Sequence, residues 1–165
     1  RRPFLCNDVP RIILGNVIRE CLESRPFGTV AFVLLPEHLH AVWSLPPGDT
    51  AYSARLGWIK KEFTKRWLAE GGTEAPVSTQ RQKRNRRGVW QPRFWEHTIR
   101  DESDLERHVD YVHYNPVKHG LATSPSEWQW STFHRFVAAG TYDVNWGTSH
   151  AAQLNFNDIR DSVGE

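Results

Sequence analysis

Methionine is absent from the 165 residues, and cysteine occurs only twice, as Cys6 and Cys21. Two thiols cannot build a zinc cluster alone or a disulfide framework, so they read as buried thiols in a reducing compartment. Long apolar runs are missing too. Nothing approaches the roughly 20 residues that a membrane helix requires, and no zone of basic, apolar and small residues marks a secretory leader. A cytoplasmic protein with no membrane partner is therefore expected. Net charge is nearly absent, at +2, which excludes a generally basic, sticky surface. The charge present is uneven: residues 80–87 hold five of the 21 lysines and arginines and no acid, and the remainder carries 16 basic against 19 acidic residues. One local anion-binding region is the natural reading. What is plentiful is tryptophan and histidine, eight of each. With 39% hydrophobic residues the chain can bury a core.

Periodicity places the elements. Residues 8–24 read as a helix with Asp8 as a cap, Pro10 in its first turn, and Ile13, Val17 and Cys21 on one stripe. Residues 29–35 and 38–45 read as two strands of a hairpin turned at Pro36-Glu37. Residues 50–70 read as a long helix with Leu56, Ile59, Phe63 and Trp67 as its apolar stripe. Residues 73–88 are polar and basic and are expected to form a mobile loop, and residues 89–99 a strand interrupted by Pro92. Residues 101–114 form the next predicted helix, with Ser103 and Glu106 as a capping box and Asn115-Pro116 as its stop. A short helix is expected at 131–138 and a polar tail at 147–165. This order suggests an α+β fold, helices packed on an antiparallel sheet, one strand short of a ferredoxin-like unit.

Two small groups of residues carry chemistry. Side chains alternate along a strand, so His38 and His40 project from one face at a spacing suited to two imidazoles on one metal ion. Alone, the pair also fits two satisfied polar residues beside a turn. On the helix, Tyr111 and Asn115 lie one turn apart, while Leu105, Val109 and Val112 face elsewhere. Tyr114 competes with Tyr111, which is preferred because phenol and amide can then point together. If the two groups converge, two imidazoles and an amide oxygen would hold a divalent ion at an open site, and a phenol beside it could attack a phosphate.

Three motifs in order carry a wider resemblance: Pro36-Glu37-His38-Leu39-His40, Trp90 to His97, and His108-Val109-Asp110-Tyr111-Val112-His113-Tyr114-Asn115-Pro116-Val117-Lys118-His119-Gly120. Together, over roughly residues 1–146, they resemble the REP-associated tyrosine transposases, single-tyrosine members of the HUH nuclease superfamily in which U is a hydrophobic residue. The resemblance implies a ferredoxin-like HUH fold whose opening strand is missing before Arg1. It implies metal ligands at His38, His40 and Asn115, a nucleophile at Tyr111, and Mg²⁺ or Mn²⁺ as the ion. The implied substrate is single-stranded hairpin DNA of repetitive extragenic palindromes (REP), cut through a 5′-phosphotyrosine and rejoined, by a protein acting near the nucleoid. A monomer is expected, with a dimer as the alternative. DNA contacts are expected from Arg81, Lys83, Arg84, Arg86 and Arg87, extended by Lys60, Lys61, Lys65 and Arg66, with Trp90, Arg93 and Trp95 as a stacking platform. The competing readings are a non-catalytic hairpin DNA- or RNA-binding relative and a hydrolytic phosphodiesterase.

Overall fold

A computed structural model describes residues 3–84, 86–91, 94–148 and 156. The element order is α1 (Asp8–Ser24), β1 (Gly28–Leu34), β2 (Leu39–Ser44), α2 (Tyr52–Ala69), a short α3 (Thr79–Lys83), α4 (Glu102–Lys118) and α5 (Phe133–Ala138). The chain is mixed α+β, as expected, and divides into two compact units. One comprises residues 1–5, 28–44 and 95–165, and the other residues 6–27 and 45–94.

The first unit is built on the β1–β2 hairpin. The strands pair antiparallel, with Val33 opposite His40 and Leu34 opposite Leu39, and the register shifts between Thr29 and Ala31. On the other side of β1, residues 130–132 add a partial third rung: Leu34 N–H donates to Trp130 O, Thr132 N–H donates to Phe32 O, and Val33 bridges Ser131. The corner is held by Phe4 and Leu5, whose N–H groups both reach Pro36 O at 2.8 Å. Alternation along β1 sends Ala31 and Val33, followed by Leu35 just past its end, into a core completed by Val109 and Val112 of α4. Trp128, Phe136 and Tyr142 pack against that core.

Helix α4 starts where predicted, but by a different device. The Asp101 side chain accepts the Asp104 N–H at 2.8 Å, so Asp101 is the cap and Ser103 already lies inside the first turn. The helix also ends later than the sequence suggests. It runs through Asn115 and Pro116 to Lys118. Proline disfavours a helical residue before it, but late in a helix it removes only one intrahelical donor, and tertiary burial outweighs the local preference here. Asn115 and Pro116 are both buried. A Schellman closure then stops the helix: Gly120 N–H reaches Val117 O, Leu121 N–H reaches Pro116 O, and Gly120 takes φ +65°.

The second unit pairs α1 with α2. Leu14, Val17 and Cys21 are buried on α1, and Ile59 and Phe63 on α2. Arg55 is also buried; its guanidinium grips the Asp49 carboxylate twice and donates to Arg25 O and Pro26 O. Bonds within the basic segment tie its two ends together. Glu74 accepts from the Arg87 guanidinium and from Gly88 N–H, Ala75 N–H donates to Gly88 O, and α3 lies between. Gly88 fits because a Cβ there would overlap the Ala75 carbonyl.

The predicted strand at 89–99 does not form among the described residues. A strand needs a buried face, yet Phe94 and Trp95 are 41% and 61% exposed.

Two stability predictions follow from this architecture. His113 is fully buried on α4, bonded through Nε2 to Thr132 Oγ1 at 2.8 Å. Burial, and secondarily the Arg135 charge, push its imidazole down to about 4, against about 6.5 in the unfolded chain. The depressed value means that the folded state binds fewer protons than the unfolded chain between these values. Stability is therefore complete above the unfolded value and lost as pH falls toward the folded one, by on the order of 3 kcal/mol. Urea melts at stepped pH should show that limb in the native protein and a flatter one in His113→Gln; identical limbs would contradict the assignment. Asp101→Ala should cost about 1 kcal/mol in the same melts, and Asp101→Asn much less.

Candidate functional site

The hairpin and α4 bring the two predicted groups together within the first unit. His38 and His40, two residues apart across the start of β2, hold their rings edge to face with centroids 4.9 Å apart. The His40 ring stands edge-on to the Tyr111 ring at 5.6 Å. Tyr111 is almost wholly buried, at 2% exposure, against 8% for its competitor Tyr114. Packing explains this. The Val109–Val112 stripe seats α4 on the hairpin, and Tyr111 occupies the flank of that stripe beside His40.

Asn115 is fully buried one turn on. Its Nδ2 donates to Tyr111 O at 3.1 Å, while its Oδ1 is buried and accepts no hydrogen bond among the described residues. A buried amide oxygen left this way is costly unless something fills its valence. A hard cation with oxygen ligands would do so, and the donor set of two imidazoles and one amide oxygen suits a divalent ion. Asn115 does not sit at a fraying helix end, since α4 continues past it.

Two neighbours were not singled out from the sequence. Lys118 Nζ donates to the Tyr111 hydroxyl at 2.8 Å and lies 4.7 Å from the centroid of its ring. His119 places its ring 5.4 Å from that of His38. The seven-residue spacing from Tyr111 to Lys118 is a signal of two helical turns, but it is readable only if the helix is known to cross Pro116. On the other side, Phe156 packs edge-on to Tyr111 at 5.4 Å.

A second group of ligand-type side chains lies at the start of α4. One ligand atom from each of His97, Asp104 and His108 falls within 4.8 Å of the others, so this group too could hold a metal ion. His97 Nε2 and Asp104 Oδ2 are 2.7 Å apart, the two imidazoles stack at 4.4 Å, and Arg100 N–H donates to the same carboxylate oxygen. The His97 bond, aided by the Arg100 amide and the nearby imidazoles, holds the Asp104 carboxyl well below the usual range. Arg100 and Arg107 bring guanidinium nitrogens to 3.4 and 3.8 Å of that carboxylate, and their positive charge opposes a dication there. His108 thus belongs to this cluster; its Nδ1 is 2.8 Å from Asp104 O.

The predicted DNA-contact residues of the second unit are distributed as follows. Lys83, Arg84 and Arg86 are exposed on or beside α3, and Lys61 is exposed on α2. Arg81 is half-buried and donates to Arg87 O at 3.4 Å. Arg87 itself is paired with Glu74, whose carboxyl this bond and the Gly88 amide hold down to about 2. Lys60 donates to Gln91 O at 3.1 Å, and burial, then the Arg81 and Arg86 charges, lower its ammonium. Lys65 is exposed, whereas Arg66 is tied to Glu20 at 2.6 Å. Trp90 packs on Phe63 at 4.9 Å and donates Nε1–H to Lys60 O. Trp95, in the first unit, is exposed. Arg93 lies outside the described residues.

Comparison with known proteins bears on what this arrangement is. No family model matches the chain. The REP-associated tyrosine transposase of Escherichia coli K12 is 42% identical over 134 residues, covering 81% of this chain and 71% of that protein. A Haemophilus influenzae protein assigned to the same family is 43% identical over 132 residues, covering 80% and 73%. A solved REP-associated tyrosine transposase bound to a REP hairpin superposes with a TM-score of 0.73 at 41% identity, over 89% of this chain and 78% of that one. With this identity over most of its length, and with the fold shared, the chain belongs to the REP-associated tyrosine transposase family.

Proposed function

We propose that this chain cuts and rejoins single-stranded DNA at REP-type hairpins, with Tyr111 as nucleophile and a divalent ion held by His38, His40 and Asn115. The observation that carries the reading is the meeting of the hairpin with α4: the His40 ring lies 4.9 Å from His38 and 5.6 Å from Tyr111. The orphaned Asn115 oxygen supports the ligand set, and the arginines around Asp104 favour this site over the His97 group. Mg²⁺ or Mn²⁺ suits such a mixed nitrogen and oxygen set. When bound, the ion would supply Lewis-acid polarisation of the scissile phosphate.

The chain's own residues do the rest. His38 and His40 present ring nitrogens as ligands, the hairpin holding them on one face. Tyr111, fixed by burial on a helix, offers one oxygen in one direction, which lowers the entropic cost of attack. Its oxygen forms the bond to phosphorus, and the 3′ oxygen departs with its electron pair. The covalent ester keeps the energy of the broken bond, so the free 3′-OH can reverse the step. A REP hairpin is also what the structural relative is bound to. Lys61, Lys83, Arg84 and Arg86 supply positive charge for phosphates, and we take the active species to be a monomer.

Incubation with a labelled REP-type hairpin oligonucleotide and Mn²⁺ should give a denaturant-resistant protein–DNA adduct. Tyr111→Phe should give none while still binding the hairpin. An adduct formed by that variant would remove Tyr111 from the reaction, free hydrolysed ends would indicate water as nucleophile, and binding without cleavage would indicate a non-catalytic module. His38→Ala/His40→Ala should weaken Mn²⁺ binding by at least about tenfold, with His97→Ala/His108→Ala close to the native protein; the reverse result would move the ion to the Asp104 group. Replacing Lys83, Arg84 and Arg86 by glutamine should lower the salt dependence of hairpin binding, with each lost phosphate contact reducing the slope by about 0.7.

A further inference from the structure

We propose that Lys118 is a catalytic residue: its ammonium stabilises the negative charge on the Tyr111 oxygen, first as that oxygen attacks phosphorus and again as it leaves. The inference rests on Tyr111 being the nucleophile. Lys118 touches the reacting atom itself, with Nζ 2.8 Å from the hydroxyl oxygen. Its charge also sits 4.7 Å from the ring centroid.

The need for such a group follows from burial. Tyr111 is 2% exposed, so water gives its oxygen little help in carrying charge. A phenol ordinarily ionises near 10 and is a weak nucleophile at neutral pH. Charge building on a buried oxygen is costly unless a charged donor faces it. Among the described contacts of that oxygen, Lys118 is the cationic donor. The interaction is preorganised by the backbone. Lys118 is two turns beyond Tyr111 on the same helix face. It holds that place because α4 crosses Pro116 and closes at Gly120 by the Schellman bonds. A helix ending at Tyr114 would leave Lys118 on a loop.

The step balances without a further reagent. In cleavage, the bond from Tyr111 Oη to phosphorus forms and the bond from phosphorus to the 3′ oxygen breaks. The phenol proton passes to water, and the departing 3′ oxygen takes a proton from water. In rejoining, the 3′ hydroxyl oxygen attacks as its proton passes to water, and Oη leaves with the electron pair as a phenolate that water reprotonates. Lys118 keeps all its protons in both directions and donates to Oη throughout. This resembles an oxyanion hole with one charged donor, placed at the nucleophile instead of at the phosphate.

The test uses the full chain, Mn²⁺ and the same labelled hairpin oligonucleotide. Lys118→Met and Lys118→Gln should both slow adduct formation by about 100-fold, a typical loss for one preorganised donor. Glutamine keeps a neutral donor, so it isolates the charge, and it stands in should the methionine variant fail to fold. Hairpin binding, read by anisotropy, should change less than about threefold, since the role lies in the chemical step. Lys118→Arg should recover most of the rate. Placing 3,5-difluorotyrosine, a more acidic phenol, at position 111 should restore the glutamine variant by at least about tenfold and change the native chain far less, because its oxygen carries charge with less help. Cleavage by Lys118→Gln at the native rate would overturn the proposal, as would a slow variant that difluorotyrosine does not restore. An adduct from Tyr111→Phe is a separate failure, of the nucleophile assignment, and is told apart by the Phe arm alone.

Discussion

The site depends on how α4 seats on the β1–β2 hairpin. Val109 and Val112 meet Ala31, Val33 and Leu35, and this apolar contact sets both the distance and the rotation of the helix. His38 and His40 are fixed by the hairpin, and Tyr111 and Asn115 by the helix; the shared core relates the two. Because a helix residue and its stripe are rigidly linked, seating Val112 also seats Tyr111 beside His40. Tyr111 and Asn115 are buried at this junction, so the surroundings of the phenol oxygen and of the amide are set by packing.

Burial at this junction is selective. Four polar side chains of α4, Asp104, His113, Asn115 and the Tyr111 phenol, lie almost out of solvent. Asp104 is surrounded by donors, and His113 is bonded to Thr132 and kept neutral by its apolar surroundings. Tyr111 carries an ammonium on its oxygen. Asn115 differs, with a buried oxygen that accepts nothing among the described residues. The first two are satisfied within the protein, and the last two are the residues to which the proposed function assigns nucleophile and ligand.

Basicity follows a different logic. The run at 80–87 looks like a solvated arm in sequence, yet a single acid before it, Glu74, pairs with Arg87 and closes the segment. Arg87 is thereby partly neutralised, and Arg66 likewise by Glu20. The exposed charges that remain are fewer than a count of residues suggests, and they lie on α2 and on or beside α3. Trp90 is held by packing, its ring against Phe63 and its N–H on the Lys60 carbonyl.

Much was legible in residue order alone. Helices α1 and α2 are announced by apolar periods near 3.6 and the hairpin by apolar, β-branched residues around a proline corner, and all of these elements form, although Asn7 rather than Asp8 takes the cap position of α1. The three motifs pointed to the family that the relatives bear out. What only the tertiary structure decided is where local preference lost. Pro116 reads as a stop, but the burial of Asn115 and Pro116 carries the helix to Lys118, which puts an ammonium on Tyr111. The segment at 89–99 reads as a strand, but Phe94 and Trp95 stay exposed, and no strand forms among the described residues. Periodicity reports which face a residue takes on its own element; which faces meet, and which residue's local rule yields, is fixed by long-range burial that no short window of sequence contains.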